Sequence, residues 1–377
     1  MRQRWFILCA LVLGALLVGA SASASLLNTH KSYHGKRRAL DPVLSPTLGP
    51  PTTVVKVIGN GFGAHEAVDI YFDTQDVALA ATNAAGGFSN FAVTVPAYAL
   101  PGVHWVTAVG RKTGRSSGAM FTVRTDWAGR GFSATHKGTN PYENVIGPGN
   151  AASLDQAWSY TTGGLVNSSP AVANGLVYVG SLDGKVYASD AATGANVWSY
   201  TAGAGVESSP AVVNGVVYVG SDDGHVYALN AVGGAFVWSY TTGGAVESSP
   251  AVANGVVYVG LVNGAVYALN ARTGAAVWNS TAGGGVISSP AVANGLVYVG
   301  TMSGAVYALN AASGALVWSS TTGNAVSSSP AVANGVVYVG SSDGKLYAYA
   351  LYAGYARHRA ARPDPATLIR DRNLKPQ

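Results

Sequence analysis

The sequence predicts an all-β protein in which a small β-sandwich is followed by a β-propeller of about five four-stranded blades. Two periodicities and one composition carry this. Trp158, Trp198, Trp238, Trp278 and Trp318 stand 40 residues apart, and Ser-Ser-Pro recurs with the same period, ending at Pro170, Pro210, Pro250, Pro290 and Pro330. A fixed period of about 40 residues marks units that associate because none can bury its apolar face alone. Gly reaches 49 residues and charged residues only 10%, and Val, Tyr and Trp alternate with Gly-containing turns. That pattern fits short strands and lacks the 3.6-residue period of a helical solenoid.

From the N-terminus, Arg2 and Arg4 precede an apolar run from Trp5 to Val18, and Ala20-Ser21-Ala22 and Ala22-Ser23-Ala24 offer small-residue cleavage sites. Residues 1–24 are therefore expected to be a secretory signal peptide, with an uncleaved anchor as the alternative, and the protein is placed outside the cytoplasm, secreted or at the cell surface. No other stretch is long enough to span a bilayer. The only cysteine, Cys9, lies in that run, so a processed chain would hold no disulfide, zinc–thiolate site or thiol nucleophile. Leu8 is bulky where a lipid-anchoring signal needs a small residue.

Residues 25–50, basic and then rich in proline at Pro42, Pro46 and Pro50, read as a flexible lead-in. Residues 51–125 carry strand signals at Val54–Ile58, Val68–Phe72, Phe88–Val95, His104–Val109 and Ala119–Val123, separated by Gly and Pro turns. Through Gly59-Asn60-Gly61-Phe62, the Val68–Phe72 strand, Gly87-Phe88 before Val93-Thr94-Val95-Pro96, and Pro101-Gly102-Val103-His104, this stretch resembles IPT/TIG and related immunoglobulin-like domains. The resemblance implies a spacer or adhesive module. Residues 126–152 are irregular and read as a linker packed onto the repeats.

The repeats occupy residues 153–351. In one unit Pro210–Val213, Val216–Val219, His225–Leu229 and Phe236–Tyr240 are four short strands, and Asn214-Gly215 is a two-residue hairpin turn. Each 40 residues thus make one blade. The first three strand types each occur five times after Pro170, whereas the first Trp strand, Ala157–Tyr160, precedes the first full unit. The sequence thus predicts five blades closed by the Trp158 strand, which removes exposed edges; an open or truncated array is the alternative. The five tryptophans are expected to pack between blades. Ser-Ser-Pro-Ala-Val, Asn-Gly-Val/Leu-Val-Tyr-Val-Gly, Asp-Gly-x-Val/Leu-Tyr-Ala-Leu-Asn and Thr-Gly-x-x-Val-Trp make the region similar to the pyrroloquinoline-quinone-type (PQQ-like) propeller of quinoprotein alcohol dehydrogenases and BamB-like proteins. Residues 352–377 leave the pattern and read as a disordered basic tail.

The net charge of +5 does not describe the repeats, whose only basic side chains besides His225 are Lys185, Arg272 and Lys345. No nucleic-acid partner is expected. The resemblance implies that a quinone enzyme would need carboxylates and an amide around calcium, a catalytic Asp and often a vicinal cysteine pair, and the sequence matches none of these. No catalytic residue, cofactor or metal is therefore expected. Asp183, Asp223 and Asp343 precede Gly and read as turn formers, with calcium ligation as the weaker alternative. Asn167 and Asn279 begin glycosylation sequons. Among columns that vary between units are the residue before Ser-Ser-Pro (Asn167, Glu207, Glu247) and the turn between second and third strands (Asp222 and, beyond Asp223, His225). These share one face of a meander blade. Asn167, Glu207, Glu247, Asp222, Asp223 and His225 are thus the candidate recognition face of a monomeric, non-catalytic binding or scaffolding protein; drift at tolerant loop tips is the alternative. The partner classes are protein or cell-surface polysaccharide. A quinone-dependent dehydrogenase and a purely structural spacer are the alternative functions.

Overall fold

The protein's structure is a computed structural model that describes residues 40–133 and 139–351. It divides into two compact units, one ending at Arg124 and the next beginning at Thr125. The expected signal peptide and tail, and residues 25–39 of the expected lead-in, lie outside the described residues. No described helix is long and apolar enough to cross a membrane.

The first unit contains β1 (Leu40–Ser45), β2 (Leu48–Gly49), β3 (Val54–Asn60), β4 (Ala67–Phe72), β5 (Gln75–Ala81), β6 (Phe88–Thr94), β7 (Gly102–Gly110) and β8 (Ser116–Val123). They form two sheets, β1-β3-β6 and β2-β8-β7-β4-β5. Period-two alternation turns Val68, Ile70 and Phe72 of β4 inward, where they join Val55, Val57, Val106, Phe121 and Val123 in one core. Residues 40–45, expected in a flexible lead-in, are instead a strand that buries Pro42 and Leu44, with Leu44 opposite Val57. Pro42 supplies no N–H for pairing, but β1 is an edge strand, where a missing N–H is tolerated. The carboxylate of Glu66, 1% exposed, accepts bonds from the N–H groups of Gly63, Lys112 and Thr113 and from the Thr113 hydroxyl. Burial opposes its charge, but these donors hold its pKa below the ordinary value.

The second unit contains β9 (Ala171–Ala173), β10 (Leu176–Ser181), β11 (Lys185–Asp190), β12 (Asn196–Thr201), β13 (Ala211–Val213), β14 (Val216–Gly220), β15 (His225–Asn230), β16 (Phe236–Thr241), β17 (Ala251–Ala253), β18 (Val256–Gly260), β19 (Ala265–Asn270), β20 (Ala276–Thr281), β21 (Ala291–Ala293), β22 (Leu296–Gly300), β23 (Ala305–Asn310), β24 (Leu316–Thr321), β25 (Ala331–Ala333), β26 (Val336–Gly340) and β27 (Leu346–Ala350). Four sheets have four strands in chain order, and the fifth, β25-β26-β27, has three. In the second repeat Tyr218 faces Ala228, which faces Trp238. Asn214 and Gly215 take φ of 51° and 77°, the left-handed pair that a two-residue hairpin requires.

Three contacts join consecutive repeats. The loop before each Ser-Ser-Pro from the second repeat on inserts a fully buried valine, Val206, Val246, Val286 or Val326, against Gly180, Gly220, Gly260 or Gly300. A Cβ at Gly180 would lie 2.5 Å from Val206 Cγ1. Ser169 N–H donates to Ser209 Oγ at 2.8 Å, and Ser209, Ser249 and Ser289 repeat this toward Ser249, Ser289 and Ser329 at 3.0 Å. The indoles of Trp198, Trp238 and Trp278 lie over Gly234, Gly274 and Gly314 of the following repeat.

The described residues show no pairing of the Trp158 segment with the last sheet, the closure expected from the sequence. Among the described residues, 157–160 form no strand and β27 pairs with β26 alone. The segment makes toward the first repeat the contacts that fourth strands make toward the repeat after them. Trp158 covers Gly194 and donates from Nε1 to Ala191 O at 3.1 Å. Tyr160 stacks obliquely on Tyr187, ring centroids 5.6 Å apart, and Gly163 N–H donates to Asp183 at 2.7 Å. These contacts fix it to the first repeat wherever β27 lies.

Candidate functional site

The loops that connect successive repeats and the turns between second and third strands lie on one face. Asp222 N–H donates to Gly205 O at 2.9 Å, and Val206 N–H to Ser181 O at 3.0 Å. The Asn-Gly and fourth-strand turns meet at the other end of the sheet, where Ala231 N–H donates to Gly215 O. The six residues singled out in the sequence therefore all belong to the first face, but they divide by role.

Asp223 is consumed by structure. Its carboxylate accepts from Tyr227 Oη at 2.7 Å, Gly203 N–H at 2.6 Å and His225 N–H at 2.9 Å. Burial works against its charge, yet these bonds keep its pKa below the usual range. Asp183 and Asp343 repeat the arrangement with Tyr187 and Tyr347, and Asp343 is held at about 2. These three aspartates shape their own turns and also tie each turn to the preceding loop. His225 lies beside Asp223, with Nδ1 3.2 Å from Oδ1, and its Nε2 is 3.0 Å from Thr241 Oγ1.

Asp222, Glu207 and Glu247 are brought together without such partners. Desolvation, then the charges of Glu207 and Asp223, push the Asp222 carboxyl up. Desolvation, then Glu207 and Asp222, do the same to Glu247. The Oδ1 atom of Asp222 is buried and makes no hydrogen bond. Three carboxylates on two neighbouring repeats thus share one field, an arrangement suited to attracting a basic group. Asn167, in register with the two glutamates, is exposed on the loop before β9. Among the described residues, no three His, Cys, Asp or Glu side chains gather closely enough to hold a metal ion.

The five tryptophans differ in their surroundings. Trp198, Trp238 and Trp278 are 6–8% exposed and donate from Nε1 to Ala231, Ala271 and Ala311 O at 2.9–3.0 Å. Trp158 packs likewise on the first repeat. Trp318 instead meets Tyr349 edge-on, centroids 4.8 Å apart.

Sequence reasoning did not find the role of residues 127–133. Val172 N–H donates to Trp127 O at 2.7 Å, and Val212 N–H to Ala128 O at 2.6 Å. The segment therefore caps the free edges of β9 and β13, the first strands of two repeats. Arg130 reaches across to Ser289 Oγ at 3.1 Å. A small pocket remains between Ala128, Arg130, Phe132, Ala211, Pro250 and Val252. The Gly-rich composition of this stretch concealed its pairing, because the bonds are made by backbone alone.

The family described as outer membrane protein assembly factor BamB matches residues 104–285 and 262–375. No curated protein matches the chain. Among solved structures, the quinohemoprotein alcohol dehydrogenase ADHIIG of Pseudomonas putida HK5 is 23% identical with a TM-score of 0.52, covering 60% of this chain and 48% of its own. The quinohemoprotein alcohol dehydrogenase of Comamonas testosteroni is 22% identical with a TM-score of 0.51, covering 60% and 49%. BamB from Moraxella catarrhalis is 19% identical with a TM-score of 0.45, covering 84% and 94%. The chain spans about half the length of the two dehydrogenases, and the likeness to them is one of fold.

Proposed function

The chain belongs to the family described as outer membrane protein assembly factor BamB, and on that premise we propose that it is an exported, non-catalytic binding or scaffolding protein. Its repeat unit presents the recognition surface, and its first unit serves as an immunoglobulin-like spacer. The observation that carries this reading is the set Asp222, Glu207 and Glu247. Asp222 and Glu247, held beside Glu207 with raised pKa values, cost stability at neutral pH, and such costs concentrate at functional positions. Their field selects a partner bearing Lys or Arg, a protein in preference to a neutral polysaccharide. Capture of extracytoplasmic proteins by the wild type and by a Glu207→Gln/Glu247→Gln/Asp222→Asn variant tests it. Loss of a captured partner in the variant is the expected result, and undiminished capture of every partner sinks the assignment.

The fold likeness to quinohemoprotein dehydrogenases motivates a second reading, a quinone-dependent enzyme. Two observations weigh against it: no trio of His, Cys, Asp or Glu side chains gathers among the described residues, and the outer edges of β9 and β13 are taken by residues 127–128. Titration with pyrroloquinoline quinone and calcium decides. A ligand at a hundred times its dissociation constant adds about 2.7 kcal/mol, a rise of roughly 2–4 °C in Tm for a unit of this size, and such a rise would reinstate the enzyme.

A further inference from the structure

Four threonines stand in register at the ends of the fourth strands: Thr201, Thr241, Thr281 and Thr321. All four are exposed. Each lies directly across from the first residue of the adjoining third strand, which is Lys185, His225, Ala265 or Ala305 in turn. Among the described residues, only the second repeat sets an imidazole against this hydroxyl.

The pair is part of a relay of three side chains. Thr241 Oγ1 is 3.0 Å from His225 Nε2, and His225 Nδ1 is 3.2 Å from Asp223 Oδ1. An ionised carboxylate can only accept, so Asp223 draws the ring proton to Nδ1 and leaves Nε2 to accept from the Thr241 hydroxyl. The bonds that fix Asp223 in its turn, from Tyr227 Oη and the N–H groups of Gly203 and His225, also keep it charged. The His225 ring lies over Tyr227, centroids 5.7 Å apart, with its side chain 32% exposed. The base is thus both held and open to a reactant. A hydroxyl, a base within hydrogen-bond reach and a carboxylate that orients the base are the parts that activate a nucleophile.

We propose that Thr241 is a nucleophilic acceptor site that takes an acyl group from an activated ester. Thr241 Oγ1 forms a bond to the ester carbonyl carbon while His225 Nε2 takes the hydroxyl proton. The bond from that carbon to the leaving oxygen then breaks, and the proton passes from Nε2 to that oxygen, releasing an alcohol. Asp223 stays ionised throughout and steadies the imidazolium. The donor is an ester with a good leaving group because the three residues supply an activated nucleophile, and such an ester needs little more to break. The result is one acyl group per chain, a modification of the protein that is independent of the acidic set at Asp222, Glu207 and Glu247.

Treatment of the full chain with p-nitrophenyl acetate, followed by peptide mapping, tests the proposal. Thr241 should be acetylated about a hundredfold faster than Thr281 and Thr321, the increment a general base supplies; those two threonines are controls within the same molecule. His225→Ala should slow Thr241 to the rate of Thr281 and leave the fold intact, since Ala265 and Ala305 occupy the same place in other repeats. Thr241→Ser should keep the reaction. The positioning role of Asp223 is read from the ring-nitrogen NMR shifts of His225: the neutral ring should carry its proton on Nδ1 in the wild type and lose that preference in Asp223→Asn. Equal acetylation of Thr241, Thr281 and Thr321 overturns the proposal, as does undiminished acetylation of Thr241 in His225→Ala. A neutral ring protonated on Nε2 in the wild type also overturns it.

Discussion

The indole of Trp198 lies against the bare Cα of Gly234, so that a Cβ on the glycine would fall 2.6 Å from the ring. Trp198 belongs to one repeat and Gly234 to the next, and the pair recurs as Trp238 with Gly274 and Trp278 with Gly314. Gly234 also has φ of +68°. Two demands, a left-handed backbone and space for an indole, meet at one residue.

Gly234→Ala should therefore destabilise the second unit by about 2–4 kcal/mol, combining overpacking with the cost of positive φ. Gly233→Ala, with nothing within 4 Å of its Cβ, should stay within about 0.5 kcal/mol of the wild type. Urea unfolding of both variants compares them directly.

Ser208 is fully buried and accepts from Gly220 N–H while donating to Ser248 O, both at 3.0 Å. Ser208→Ala orphans a buried N–H and a carbonyl. A loss of about 1–3 kcal/mol is expected. Ser328 makes the corresponding bond to Gly340 N–H but is partly exposed, so water can substitute and Ser328→Ala should cost less in the same assay.

The acidic set has a defined pH signature. Asp222 and Glu247 have folded pKa values above 3.8 and 4.5. Their protonated forms favour the fold, so stability falls as pH rises from those values through the raised ones and stays reduced at neutrality. Asp222→Asn should raise stability at pH 7 by roughly 0.5–1 kcal/mol and lose that advantage in acid. An equal Tm gain at pH 3 and pH 7 would contradict it.

Glu66 behaves in the opposite sense. Its folded pKa lies below 4.5, so its contribution is complete above that value and disappears as pH falls through the lowered one. Glu66→Gln should cost about 2–4 kcal/mol at pH 7, since an amide offers its donors one accepting oxygen in place of a charged pair. The gap to wild type should shrink on acidification, which thermal unfolding of the first unit reads.

The repeats were legible because each side chain that defines a junction recurs every 40 residues: tryptophan, Ser-Ser-Pro and the glycines carry their own spacing. The acidic set was legible for the converse reason, as Glu207, Glu247 and Asp222 break columns that are otherwise uncharged or variable. What the sequence hid is geometry set by backbone or by distance. Strand β1 contains a proline and looks like linker. Trp127 and Ala128 pair through peptide groups alone. Glu66 is polar in a stretch where nothing marks its donors, Lys112 and Thr113, as neighbours. Ring closure was inferred from counting strands, and a count contains no rotation angle between repeats.

The uniform 40-residue step of the serine ladder has a genealogical consequence. A gene that gains or loses one whole period rejoins Ser209 to a partner identical to the one it had, with a valine and a glycine already matched at the new seam. Gain or loss of whole periods would alter the number of repeats while sparing every junction, so the reach of this protein's surface is a quantity that recombination can adjust in whole units.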